Sequence, residues 1–347
     1  MSRILVTGGA GYLGSHILVA LHEAGFVDVV VADDLRRSAP RMLDGVAAIT
    51  GRQPVLRRID VADAAAVRSV FAADGPFDVV IHLAAYKSVR ESMAEPTRYF
   101  ANNVGATAAL LDVMAQHECR RLVFSSSCTV YGDAAVQPVK EDHPLGPARS
   151  PYGTSKQICE QMIAGVADAS DGRFPTLTRA MALRYFNPVG AHPSALIGEL
   201  PMGVPDTLVP FMAESASGVR GPLEVFGSDY PTPDGTARRD YLHVVDLAEA
   251  HVAAVHWALG DSPRHDVVNL GTGRPFSVLE VIASFERVTG VPVPHVFSPR
   301  RAGDAISIWS AVDKAAQVLG WRATRTIDDM LSSAWAWHQR LAHRKTE

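Results

Sequence analysis

The 347-residue chain is expected to be an α/β protein, a doubly wound parallel sheet joined to a smaller, irregular α/β lobe. Three observations predict this. Short apolar runs alternate with helix-period segments through the first 130 residues. A glycine-rich turn separates the first run from the first helical segment. After Phe186 the texture changes, and prolines punctuate residues 187–240.

The individual elements follow from periodicity. Residues 4–6, 27–32, 79–82 and 122–125 are continuous apolar runs, as expected of strands buried on both faces. Residues 13–24, 64–72 and 99–116 carry helical spacing between them, and 149–169 and 177–184 read as a further helix and strand. Pro188, Pro193, Pro201, Pro205, Pro210, Pro222, Pro231 and Pro233 break up the stretch that follows. Periodicity returns with helices at 244–259 and 278–289 and a strand at 267–270. The expected division is residues 1–186, which also receive 240–272, and a second lobe of 187–239 and 273–338.

Composition narrows the class. The chain is 20% charged and 47% apolar with a net charge of −4, and no basic run is long enough to suggest nucleic acid. No stretch approaches 18 apolar residues, so no membrane partner is expected. Cys119, Cys128 and Cys159 form no CxxC or Cys/His pattern, which suits a reducing cytoplasm. The 13 histidines show no metal-ligand spacing, and no metal is expected.

Thr7-Gly8-Gly9-Ala10-Gly11-Tyr12-Leu13-Gly14 follows an expected strand and opens an expected helix. In that context Gly8, Gly11 and Gly14 let backbone approach a pyrophosphate, whose charge the helix N-terminus favours. Asp33 ends the second apolar run, about twenty residues on, where a carboxylate binds adenosine ribose hydroxyls and repels a 2′-phosphate. This Rossmann-type pattern points to NAD, although Arg36 and Arg37 offer groups that a 2′-phosphate could use. Asp60 could meet the adenine amine or cap the next helix. Leu83-Ala84-Ala85 closes the fourth strand with small residues, as a cofactor pressed on backbone requires.

Tyr152 and Lys156 stand four apart on an expected helix and so share a face. A lysine ammonium held there is expected to lower the tyrosine pKa and make it a base for an alcohol proton. Ser127, at the end of the strand, could position the same oxygen or merely cap the strand.

These motifs, with Ser125-Ser126-Ser127-Cys128-Thr129-Val130-Tyr131-Gly132 and Arg184-Tyr185-Phe186-Asn187-Pro188-Val189-Gly190, resemble the extended short-chain dehydrogenase/reductase family. Phe226-Gly227-Ser228-Asp229-Tyr230, Arg239-Asp240-Tyr241-Leu242-His243 and Pro299-Arg300-Arg301-Ala302-Gly303-Asp304 are similar specifically to its UDP-glucose 4-epimerase branch, a likeness covering about residues 3–338. The resemblance implies a tightly bound NAD, a UDP-sugar substrate and a homodimer paired through helices at 98–117 and 149–169.

It also implies residue roles. Ser127, Tyr152 and Lys156 would be catalytic. Cofactor contacts would come from Gly8, Gly11, Tyr12, Leu13, Gly14, Asp33, Asp34, Leu35, Arg37, Ser38, Asp60, Val61, Leu83, Ala84, Ala85, Lys87, Asn102, Ser125, Tyr185 and Phe186, besides Tyr152 and Lys156. The substrate would meet Lys87, Ser127, Tyr152, Asn187, Thr207, Leu208, Glu224, Val225, Phe226, Arg239, Arg301, Asp304 and Ile308. The implied reaction oxidises the sugar at C4, turns the keto sugar over and returns the hydride. Sister dehydratases carry an acid before the Val-Tyr-Gly triplet, whereas Cys128-Thr129 stand there in this chain. Thr207, Arg37, Asp34, Ile308 and Gly105-Ala106-Thr107 depart from the branch's usual residues. A net sugar-nucleotide oxidoreductase and a non-catalytic NAD sensor are the competing readings.

Overall fold

The computed structural model describes residues 2–134, 136–169, 177–260, 265–300 and 305–343. Seven parallel strands form the main sheet. They are β1 (Arg3–Thr7), β2 (Asp28–Ala32), β3 (Val55–Arg57), β4 (Val79–His82), β5 (Arg121–Ser127), β6 (Arg179–Tyr185) and, later in the chain, β10 (His265–Leu270). Their order is β10-β6-β5-β4-β1-β2-β3, so the chain winds outward in both directions from β1. β1 and β4 therefore lie side by side at the point where the winding reverses, and a crevice at their carboxyl ends is a place for a ligand.

Alternation along each strand builds two cores. Ile4, Val6, Val79, Ile81 and Val123 point to one face, toward α1 (Tyr12–Glu23), α2 (Arg41–Thr50) and α9 (Val244–Leu259). Leu5, Val80, Leu122 and Phe124 point to the other, toward α3 (Ala64–Asp74), α6 (Gly105–Gln116) and α7 (Pro151–Asp168). Burial on both faces is why these strands read as unbroken apolar runs. Between β4 and α6 come short helices α4 (Val89–Ala94) and α5 (Pro96–Tyr99), to which the sequence reading assigns no element, and a wider π turn over Phe100–Val104 that interrupts the helix expected at 99–116.

The stretch after Phe186 is more ordered than its prolines suggest. It holds β7 (Asn187–Val189), α8 (Leu208–Ala216), β8 (Leu223–Phe226) and β9 (Arg238–His243). Pro210 lies in the first turn of α8, where a missing N–H costs no helical bond. β9 pairs with β7, with β11 (Pro275–Ser277) and with β13 (Ser307–Ile308), while β8 pairs with β12 (His295–Ser298). Helix α10 (Val278–Thr289) opens with a complete capping box between Ser277 and Glu280. It packs with α8 and α12 (Ile327–His343) in a third core around Met212, Phe285 and Leu331. The sequence reading assigns no element to α2, to α12 or to α11 (Asp313–Leu319). Among the described residues, no helix is long and apolar enough to cross a membrane.

Four histidines are buried in this framework. Burial holds His16 and His82 near pKa 3 and His243 and His251 near 4, each below the ordinary 6.5. The unfolded chain therefore takes up protons below pH 6.5 that the folded chain refuses. Their stability contribution is complete above 6.5 and is lost as pH falls toward 4, at up to about 1.4 kcal/mol per histidine per pH unit. Urea midpoints measured from pH 7 to pH 5 are expected to fall. A flat profile would show that these rings are protonated in the native state.

Candidate active site

The glycine loop is shaped by close approach. Gly8 has φ +72°, and a Cβ there would lie 2.8 Å from the Ala84 nitrogen. A Cβ on Gly14 would overlap the Gly8 carbonyl and Gly9, so the third glycine seats α1 against the loop. No side chain caps α1 at Gly11, which leaves its first amides for an anion. Across the crevice, Thr7 Oγ1 accepts from the Leu83 and Ala84 amides, both at 3.3 Å, and ties the loop to the end of β4. Leu13 packs inward, whereas the Tyr12 hydroxyl donates to the Gly190 carbonyl at 2.6 Å.

Asp33 is built in at the end of β2. It accepts from the Ala10 amide (3.0 Å), the Leu35 amide (2.9 Å) and the Ser38 hydroxyl (2.7 Å). Leu35 adopts φ +64° to close this turn. Burial raises the Asp33 pKa, and those three hydrogen bonds oppose the rise. Both neighbouring arginines are held by acids. Arg36 pairs with Asp34 (3.3 Å) and Asp60 (2.9 Å), and Arg37 with Glu91 on α4. A 2′-phosphate would have to displace these carboxylates, so the pocket fits NAD. Asp60 does not cap α3: Asp63 does, accepting from the Ala65 and Ala66 amides. Val61 is buried beside it.

The catalytic candidates converge at the end of β5. Ser126 turns to Glu160, placing Ser125 and Ser127 on the opposite side of the strand. A 3₁₀ turn over Cys128–Tyr131 follows, closed by Gly132 at φ 58°. Helix α7 begins against that turn. Ser150 caps it by accepting from the Gly153 amide at 3.1 Å, and Pro151 occupies its first position. A Cβ on Gly153 would meet Ala148 at 3.0 Å and the Thr129 carbonyl at 3.1 Å. The Ser-Pro-Tyr-Gly sequence is thus a cap, a rigid start, the candidate tyrosine and a contact point.

Tyr152 and Lys156 are buried on the inner face of α7. Lys156 Nζ donates to the Ser125 carbonyl at 2.6 Å and lies 4.8 Å from the Phe124 ring centre. Burial lowers its pKa to about 8, against the pull of Cys159 and Glu160. Tyr152 corrects an expectation. Burial pushes its phenol up to about 12, and only the Ser127 hydroxyl favours the ionised form. Both side chains are buried on α7, but desolvation dominates at Tyr152 and the Lys156 ammonium turns to the Ser125 carbonyl.

The other expected residues have the following surroundings. Tyr185 hydrogen-bonds His251 Nε2 at 2.6 Å, and Phe186 is buried next to it. Asn102 donates to Asn103 Oδ1 at 3.0 Å, and Ala85 is half-buried where the chain leaves β4. Lys87 pairs with Glu199 at 2.9 Å over the Tyr12 ring, and Thr207 Oγ1 reaches both Glu199 oxygens at 3.3 Å. Asn187 Oδ1 is buried with no partner, as a ligand contact would leave it. Val225 is buried in the third core, Glu224 is exposed, and Leu208 and Phe226 are half-buried. Arg239 Nη1 donates to the Arg238 carbonyl, and Ile308 packs with Val130, Tyr131 and Phe186. Arg301 and Asp304 lie outside the described residues.

Sequence reasoning missed Asn103, Glu160, Glu199 and His251. Asn103, Glu199 and His251 each bond one of the expected residues, Glu160 holds Ser126 and Arg184, and a single sequence carries no signal for such pairings. Among the described residues, no cluster of three His, Cys, Asp or Glu side chains could hold a metal.

A parallel sheet with a glycine-rich first turn, a strand-end acid and a Ser–Tyr–Lys centre defines a dinucleotide-dependent enzyme acting on an alcohol or carbonyl. The chain belongs to the NAD dependent epimerase/dehydratase family, whose model matches residues 4–271. It is 46% identical over 337 residues to a UDP-glucose 4-epimerase of Yersinia pestis, covering 97% of both chains. A UDP-glucose 4-epimerase of Bacillus subtilis is 46% identical over 334 residues, with 96% of each chain covered. The structure of a Stenotrophomonas maltophila UDP-glucose-4-epimerase with bound NAD and formylated UDP-arabinopyranose superposes with a TM-score of 0.94 at 42% identity, covering 99% of this chain and 100% of that one. The Bifidobacterium longum enzyme in complex with NAD+ and UDP gives 0.92 at 43%, with 98% of each covered.

Proposed function

We propose that this protein is an NAD-dependent UDP-hexose 4-epimerase that interconverts UDP-galactose and UDP-glucose. The observation that carries this reading is the placement of Tyr152 and Lys156, on α7, against the end of β5 that bears Ser127, with Cys128 and Thr129 where elimination would need an acid.

NAD, when bound, accepts the C4 hydride and returns it to the opposite face of the sugar. The chain's residues handle the rest. As the phenolate, which the positive charges of Lys156 and of a bound nicotinamide would favour over the neutral phenol of the empty site, Tyr152 takes the proton of the 4-hydroxyl and later restores it. Ser127 donates a hydrogen bond to the same oxygen. Lys156, fixed on the Ser125 carbonyl, holds a positive charge in the buried site below about pH 8. The keto sugar must turn over without leaving, so the nucleotide end serves as a pivot. Asn187, Phe226 and Arg239 support that role, with Arg301 and Asp304 completing the set. Arginine suits it because its fork binds phosphate oxygens bidentately. Ile308 would border the sugar, with Thr207, Leu208, Glu224 and Val225 lining the segment around the base. The enzyme is cytoplasmic in this reading, and a homodimer joined through the outer faces of α6 and α7.

The test is to incubate purified protein with UDP-galactose, UDP-N-acetylgalactosamine and UDP-arabinose without added cofactor. Conversion of UDP-galactose to UDP-glucose is expected, because hydride leaves and returns in each cycle. Turnover only with added NAD, accompanied by NADH absorbance, would make the protein a net oxidoreductase instead.

A further inference from the structure

We propose that Thr129 is a positioning residue that makes Ser127 a hydrogen-bond donor only, so that the proton of the sugar 4-hydroxyl passes straight to Tyr152 and not through Ser127. The inference rests on the epimerase reading above and concerns how its first proton moves.

A serine hydroxyl has one hydrogen and two lone pairs. Ser127 Oγ accepts from the Thr129 amide at 3.2 Å and from the Thr129 hydroxyl at 3.0 Å. Both donors belong to one residue because Ser127 is extended (φ −150°, ψ 148°) and caps the 3₁₀ turn that follows. With both lone pairs filled, the remaining hydrogen is left for donation, and the Ser127 hydroxyl is the group that favours the ionised form of the Tyr152 phenol. The Cys128 sulfur is also within reach but is the weaker acceptor.

A serine shuttle would need a vacant lone pair on Oγ to receive the sugar proton while Ser127 passed its own to Tyr152. Thr129 occupies that lone pair. The remaining route balances without it. Starting from the Tyr152 phenolate, the sugar O4–H bond breaks and a Tyr152 O–H bond forms. The C4–H electron pair leaves as hydride to the nicotinamide, C4=O forms, and the Ser127 hydrogen moves from Tyr152 to the new carbonyl oxygen without leaving Oγ. Threonine supplies the second donor; valine would keep only the backbone one.

The test uses the holoenzyme with UDP-galactose and compares wild type, Thr129→Val, Thr129→Ser, Ser127→Ala and the Ser127→Ala/Thr129→Val double variant. Thr129→Val is expected to lower kcat about ten-fold with KM unchanged, since it frees the serine proton to turn away from Tyr152. Thr129→Ser restores the rate. In the Ser127→Ala background, Thr129→Val adds no further loss, because its effect runs through the serine. A wild-type rate in Thr129→Val, or an equal loss with and without Ser127, overturns the proposal. A second measurement needs no turnover. The phenolate absorbance of Tyr152, taken as the difference from each protein's Tyr152→Phe counterpart, should titrate at higher pH in Thr129→Val than in wild type or Thr129→Ser. If wild type leaves UDP-galactose unchanged, the epimerase reading falls, and an unmoved titration then rules out the role of Thr129 by itself.

Discussion

Tyr152→Phe is expected to lower turnover about a thousand-fold while leaving the fold and the bound cofactor in place. The substitution removes one oxygen and nothing else. The ring stays in its aromatic cluster with Tyr86 and Tyr99, meeting Tyr99 edge-on at a centroid distance of 6.5 Å. Without the phenol, no other side chain at the end of β5 can take the sugar proton. Ser127 has no charge-bearing partner, and burial holds the Cys128 thiol near pKa 12. Steady-state rates and NAD content of the purified variant check this. A Tyr152→Phe enzyme within ten-fold of wild type would place the base elsewhere.

Arg184→Met is expected to cost about 3–5 kcal/mol of stability, the largest loss we anticipate from a single polar side chain. Arg184 binds Glu160 through two bonds, Nε to Oε1 at 2.9 Å and Nη2 to Oε2 at 2.6 Å, with both side chains almost fully buried. Its remaining donors go to the Tyr131 hydroxyl (2.9 Å) and the Glu141 carbonyl (3.2 Å). Removing the guanidinium strands the Glu160 carboxylate out of water. Replacing both partners, as Glu160→Leu/Arg184→Met, removes the stranded charge as well and should recover most of the loss. Urea denaturation of the two variants decides it, and equal destabilisation by both would mean that shape rather than charge sets the cost. Activity should fall with the single variant too, since Ser126 also binds Glu160 and the pair joins β5, β6 and α7.

Much of the architecture was legible because its signals are local. β4 is buried at all four positions, and its boundaries match the apolar run. Helix α9 spans the residues that periodicity predicts, and α10 ends at Gly290 in the left-handed conformation that glycine favours. Elements were missed where tertiary contacts, rather than pattern, stabilise them. Helix α8 has a proline in its first turn, and the two-residue β13 exists only as a partner of β9.

The site divides in the same way. Gly8, Gly14, Asp33, Ser127, Tyr152 and Lys156 could be named from the sequence because each chemistry needs one residue type at a set spacing from a strand end or along a helix face. The ionisation of Tyr152 could not, because it depends on how much water the fold removes. Sequence spacing brings the lysine near; the packed site decides that desolvation prevails and that the ammonium turns to the Ser125 carbonyl. The same holds for Arg37 with Glu91, Lys87 with Glu199 and Arg184 with Glu160, whose partners stand 54, 112 and 24 residues away along the chain. The sequence by itself determined the sheet, the cofactor loop and the candidate reacting groups, since these rest on periodicity and short-range geometry. Only the tertiary structure decided which charges are neutralised and which lone pairs are filled, because hydrogen bonds and desolvation depend on neighbours that the chain brings together only on folding.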